Sequence, residues 1–114
     1  MTANHIAYLE LPATDVPALK YFYEQIFGWT FQDYGDDYAA FEGAGLDGGL
    51  NGDPNHKPKS ALVVLETKEL EAMETKVRDA GGIISLPIFA YPGGRRFHFV
   101  DPNGNELAVM QIED

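Results

Sequence analysis

Two stretches of this chain follow one plan, and that internal repeat limits the folds open to it. Around Ile6–Phe31 the order is strand, Asp15, helix, Gly28, strand. Around Ser60–Ser85 it is strand, Glu69, helix, Gly82, strand. Asp15 and Glu69 stand 54 positions apart, and so do Gly28 and Gly82. Each half runs on into short strands, which gives two βαβββ modules. Helices packed on one face of such sheets leave the other face to curl around a ligand. The pattern therefore predicts an α+β fold, an open and curled mixed sheet around a cleft. At 114 residues the chain is expected to be a single domain, with module 1 at about 1–55 and module 2 at about 56–114.

Local signals place the elements. His5–Leu11 alternates, with Tyr8 and Glu10 on one face and Leu9 and Leu11 on the other. Asp15 is a good N-cap, and Pro17 is tolerated in a first turn whose N–H groups have no helical partner. Val16, Leu19, Phe22, Tyr23, Ile26 and Phe27 recur at helical spacing, and Gly28 stops the helix. Trp29–Tyr34 and Asp37–Glu42 read as a strand pair. Gly43–Lys59 reads as loop with one short strand near Gly49–Asn51. In the second half, Ala61–Glu66 is a strand and Leu70, Met73, Val77 and Ala80 form a helical stripe ended by Gly81-Gly82. Ile83–Pro87 starts another strand. Arg95–Val100 and Glu106–Ile112 form a hairpin around Asp101-Pro102-Asn103-Gly104.

Charge and composition then exclude whole classes of partner. The formal net charge is −10, from 18 acidic against 8 basic residues, and the cations form no stripe, so nucleic acid is not an expected partner. No stretch is long and apolar enough to span a bilayer, and no basic, apolar leader pattern opens the chain, so no membrane role is expected. The absence of cysteine excludes thiolate metal sites and fits a cytoplasmic protein.

Glu10-Leu11-Pro12-Ala13-Thr14-Asp15, Phe22-Tyr23, Phe27-Gly28-Trp29 and Asp101-Pro102-Asn103-Gly104-Asn105 together resemble the vicinal-oxygen-chelate superfamily. That superfamily contains glyoxalases, bleomycin-resistance proteins, extradiol dioxygenases and fosfomycin-resistance enzymes. The likeness covers nearly the whole chain and is strongest to small single-domain bacterial members. These motifs are caps, helix stops and a turn, so they specify fold more than function. The resemblance implies a divalent metal held by His, Glu or Gln on strands 1, 4, 5 and 8. Counted from the motifs, the strand 1, 5 and 8 positions here are Tyr8, Leu62 and Ala108, and strand 4 offers only Asp47. Leu62 and Ala108 cannot coordinate, and a neutral Tyr is a poor donor near pH 7. No metal and no cofactor are therefore expected.

Two side chains are candidates for acid–base chemistry. Glu10 shares the cleft face with Tyr8, where a carboxylate would act as base or hydrogen-bond anchor; the plain alternative is a solvated strand end. His98 lies between Phe97 and Phe99, where an imidazole lining the cleft would act as acid or base; the plain alternative is a hydrogen-bonded strand histidine. Tyr8, Leu62, Val64, Phe97, Phe99, Ala108 and Met110 would supply aromatic and aliphatic cleft walls, with Arg95 or Arg96 at the rim. Core packing explains any one of them equally well.

The sequence thus points to a metal-independent protein that binds a small organic ligand, for sequestration or in a stress or resistance role, as a homodimer. One alternative is a lyase, isomerase or dioxygenase of the same superfamily. Another is a stress-related dimer with a vestigial cleft.

Overall fold

A computed structural model describes residues 4–113. Among these the element order is β1 (His5–Pro12), α1 (Val16–Phe27), β2 (Thr30–Asp33), β3 (Tyr38–Glu42), β4 (Gly48–Asn51), β5 (Leu62–Glu66), α2 (Leu70–Asp79), β6 (Ile83–Tyr91), β7 (Gly94–Val100) and β8 (Glu106–Ile112). This is the βαβββ plan twice over, an α+β fold. Among the described residues no helix is long and apolar enough to cross a membrane. The chain divides into two compact units. One is Tyr8–Leu62; the other joins the described residues before Tyr8 to those from Val63 onward.

In the Tyr8–Leu62 unit the strands lie in the order β2-β3-β4-β1. β1 runs parallel to β4, and β4 antiparallel to β3. α1 begins where Asp15 accepts a hydrogen bond from the Ala18 amide at 3.0 Å and ends at Gly28, which takes a φ of 73°. Such a left-handed residue is cheapest as glycine. Val16 and Leu19 of α1 cover Ala39, Phe41 and Leu50, with Leu9 and Leu11 beside them. Behind the helix stop, Trp29 stacks on Tyr23 at 4.8 Å and leans on Phe41 at 5.2 Å. The Phe-Gly-Trp motif therefore pins the end of α1 to the sheet.

In the other unit the order is β5-β8-β7-β6. Leu70, Phe97 and Val109 form its core, with Met73, Val77, Ile84, Ile88 and Phe99 packed around them. α2 starts differently from α1 despite the matched spacing. The Glu69 side chain makes no cap; the Thr67 hydroxyl takes the Glu69 amide at 3.2 Å, and Gln111 of β8 takes the Leu70 amide at 2.9 Å. A Glu is poorly suited to the short reach that Asp15 makes. β6 also exceeds its expected length, running through Pro87 to Tyr91. Pro87 sits within the register shift between Leu86 and Phe89, on a strand that ends the order. Edges and bulges are where a strand tolerates a residue with no N–H.

The β7–β8 turn gives a pH dependence. The Asn105 amide, first, and then the backbone N–H groups of Asn105, Asn103 and Gly104 hold the Asp101 carboxyl below its ordinary value of 3.8. Folding thus favours the ionised form. That contribution is fully present above 3.8 and is lost as pH falls through the lower folded value. Asp101→Ala is expected to lower Tm at neutral pH and to flatten the acid side of a Tm–pH profile. An unchanged acid slope would assign that sensitivity to other carboxylates.

Candidate functional site

β1 alternates, and α1 covers only one of its faces. Leu9 and Leu11 go to the helix, which sends Tyr8 and Glu10 to the opposite face. On β3 and β4 the same rule sends Tyr38, Ala40, Gly49 and Asn51 there, because Ala39, Phe41 and Leu50 are the helix-side core. Register places Glu10 beside Gly49, and Gly49 beside Ala40. Tyr38 is one step diagonal to that row. Its ring lies across the bare Gly49 backbone: a Cβ on Gly49 would stand 2.5 Å from Tyr38 Cε1. The missing side chain on β4 is what lets a β3 tyrosine reach a β1 carboxylate.

The result is a polar network on the face that carries no helix. The Tyr38 hydroxyl donates to Glu10 Oε2 at 3.2 Å, and Asn51 Nδ2 donates to Glu10 Oε1 at 3.1 Å. Tyr8 and Tyr38 are joined through their hydroxyls. With the single Tyr38 proton committed to Glu10, Tyr8 supplies the proton between the two phenols. Glu10 is only 3% exposed and Asn51 6%, so these bonds satisfy groups that water barely reaches. Burial above all, then the Glu10 charge and the bond to Tyr8, pushes the Tyr38 phenol far above its ordinary pKa. At neutral pH it therefore keeps its proton and serves as the donor to Glu10. Asn51 extends the network: its Oδ1 accepts from the Asp53 amide at 2.9 Å, and its Nδ2 lies 3.4 Å from the His56 carbonyl.

The second unit has its own helix-free face. Val64, Ala108 and His98 form one cross-strand row, and Glu66, Met110 and Arg96 form the next. Val64 and Ala108 are at most 1% exposed and His98 is 7% exposed. His98 Nδ1 stands 3.5 Å from Glu106 Oε2, which also accepts from the Ser85 hydroxyl at 2.9 Å. The Arg96 guanidinium lies over Phe89 and Tyr91, 5.5 and 5.6 Å from their ring centroids.

Of the expected wall residues, Val64, Ala108 and Met110 thus share a face with His98, while Tyr8 shares one with Glu10. Leu62, 2% exposed, opens β5 as the last residue of the first unit. The expectation for Phe97 and Phe99 is corrected: both pack toward α2 with Leu70 and Val109, on the side opposite His98. Arg95 follows them, bound to Glu71 of α2 at 2.5 Å and to Glu113 at 2.7 Å, so Arg96 alone of the pair occupies the helix-free face. The sequence pattern alone does not single out Tyr38 and Asn51. The signal for them was the Gly48-Gly49 pair inside a strand, which marks close approach of other groups.

The donor set does not fit a resident divalent metal. Among the described residues no three His, Cys, Asp or Glu side chains come together as such a group. Leu62 and Ala108 carry no donor atom, and the Tyr8 hydroxyl is engaged with Tyr38.

Comparison with known proteins bears on this geometry. The family model described as the Glyoxalase/Bleomycin resistance protein/Dioxygenase superfamily matches residues 3–109. No curated protein matches the chain. A superfamily member from Vibrio splendidus 12B01 is 16% identical with a TM-score of 0.71, over 96% of this chain and 99% of that one. The Mn(II)-bound glyoxalase from Novosphingobium aromaticivorans is 21% identical with a TM-score of 0.68, over 96% of this chain and 39% of that one. A variant of methylmalonyl-CoA epimerase from Streptomyces coelicolor, in complex with 2-nitronate-propionyl-CoA, is 13% identical with a TM-score of 0.68, over 99% of this chain and 100% of that one. At these identities the likeness concerns the fold.

Proposed function

The chain belongs to the glyoxalase/bleomycin resistance protein/dioxygenase superfamily, and on that premise we propose that it binds a small organic molecule without a resident metal ion. The ligand is anchored on the helix-free face of the Tyr8–Leu62 unit by Glu10, Tyr38 and Tyr8, and the role is sequestration in stress or resistance. The observation that carries this reading is Glu10 itself. A carboxylate 3% exposed and bonded by Tyr38 and Asn51 is a costly group to keep in a sheet, and an apolar pair would pack there at less cost. Its use as an anchor for a ligand donor explains why it stays. The test is a thermal-shift screen of small organic compounds beside metal analysis of the purified protein. A ligand that raises Tm, with far less than one divalent ion per chain, is the expected pair of results. A stoichiometric divalent ion would contradict the reading.

An enzymatic reading uses the same atoms. A buried carboxylate beside a phenol that holds its proton suits proton abstraction by Glu10, with Tyr38 as hydrogen-bond donor. Recovery of the bound ligand unchanged after prolonged incubation supports sequestration; conversion, lost in Glu10→Gln, supports catalysis. A homodimer completes the proposal. Two-fold pairs are the commonest assembly, and Ile26 and Phe27 at the end of α1 are each 60% exposed. Light scattering is expected to give twice the 12.6 kDa chain mass.

A further inference from the structure

The other face of the Tyr8–Leu62 unit, the one that carries α1, has an open groove of about 780 Å³ between the first turns of α1 and the 53–59 loop. That is within the roughly 300–1,000 Å³ of small-molecule sites. Leu19, Phe22, Pro54 and Pro58 give it apolar walls, and Lys57 and Lys59 contribute its two cations. The lysines stand on a braced loop. The Asp53 carbonyl accepts the His56 amide at 3.1 Å and the Lys57 amide at 2.8 Å. Its carboxylate accepts the Asn55 amide and His56 Nδ1, each at 2.9 Å.

Several of the cations are taken by carboxylates. Lys20 is bound to Asp33, Arg78 to Glu74, and Arg95 to Glu71 and Glu113. Among the described residues no carboxylate pairs with Lys57 or Lys59. The helix end adds nothing positive: Pro17 has no N–H, the Ala18 amide goes to the Asp15 side chain, and the Leu19 amide goes to the Asp15 carbonyl. Any attraction for an anion must come from the two lysines. Asp15 also lines the groove, and the net charge of −10 opposes polyanions at long range.

We propose that this groove is a second binding site, taking a small organic monoanion whose carboxylate meets Lys57 and Lys59 and whose apolar body lies on Leu19 and Phe22. It does not rest on the Glu10 reading, whose residues lie on the opposite face.

Titration of ¹⁵N-labelled protein with sodium octanoate, and separately with uncharged octanamide, tests it. Octanoate is expected to shift the amides of residues 18–22 and 55–59 saturably, and octanamide to bind them about fivefold more weakly. In a Lys57→Gln/Lys59→Gln double variant, octanoate should weaken by about the same factor while octanamide does not change. Both lysines are exposed, so the variant keeps its fold. Octanoate should leave the amides of Tyr8, Glu10 and Tyr38 unshifted, which separates this site from the network. Shifts that never saturate, shifts confined to other residues, or equal affinities for octanoate and octanamide would each overturn the proposal.

Discussion

Phe97→Ala is expected to cost about 3–5 kcal/mol of unfolding free energy, the usual range for emptying a fully buried aromatic site. Phe97 is 0% exposed and packs with Leu70 of α2 and Val109 of β8, so its removal leaves a void among three elements. Small domains have roughly 5–15 kcal/mol in total, so the variant should unfold at much lower urea with an unchanged slope. A phenylalanine lining a ligand cleft would behave otherwise: its loss would cost binding and little stability. A stability change below about 1 kcal/mol would therefore return Phe97 to the cleft and refute the face assignment of β7.

Gly49→Val should be nearly as damaging, for a different reason. A side chain at Gly49 collides with the Tyr38 ring, which would have to leave the space between β3 and β1. The cost combines overpacking with a buried Glu10 that loses a donor, about 2–4 kcal/mol together. Tyr38→Ala in the same chain removes the collision, so the double variant should be no less stable than Gly49→Val alone. Strictly additive losses in that cycle would mean that the two residues do not share the space. Ligand binding at the network should vanish in both.

Local chemistry explains which parts of this architecture were legible in advance. α1 could be bounded at Val16 and Phe27 because Asp15 and Gly28 act within one turn of their own positions. Tyr8 and Glu10 could be placed on one face because β1 alternates against an apolar helix side. The stripe from Leu70 likewise locates α2, which starts at that residue, but not its cap, since Gln111 takes the Leu70 amide from 41 residues away. Nor could the facing of β7 be placed: Arg95 and Arg96 are both polar, and only the pairing of Arg95 with Glu71 of α2 decides the parity. The same limit hid half of the site. Tyr38 and Asn51 reach Glu10 through the register of β3 and β4 against β1, in a stretch whose glycines resemble loop.

Ligand binding by the Glu10–Tyr38–Tyr8 network is the central claim. It is tested most directly by the Kd of a ligand found by thermal shift, measured by calorimetry for the wild type, Glu10→Gln and Tyr38→Phe. Glu10→Gln keeps the shape and removes the charge, and Tyr38→Phe removes one hydroxyl. Each is expected to weaken binding by at least about tenfold, as for a hydrogen bond to a charged group, while circular dichroism confirms the fold. Wild-type affinity in both variants would contradict the account and move the binding site away from the network.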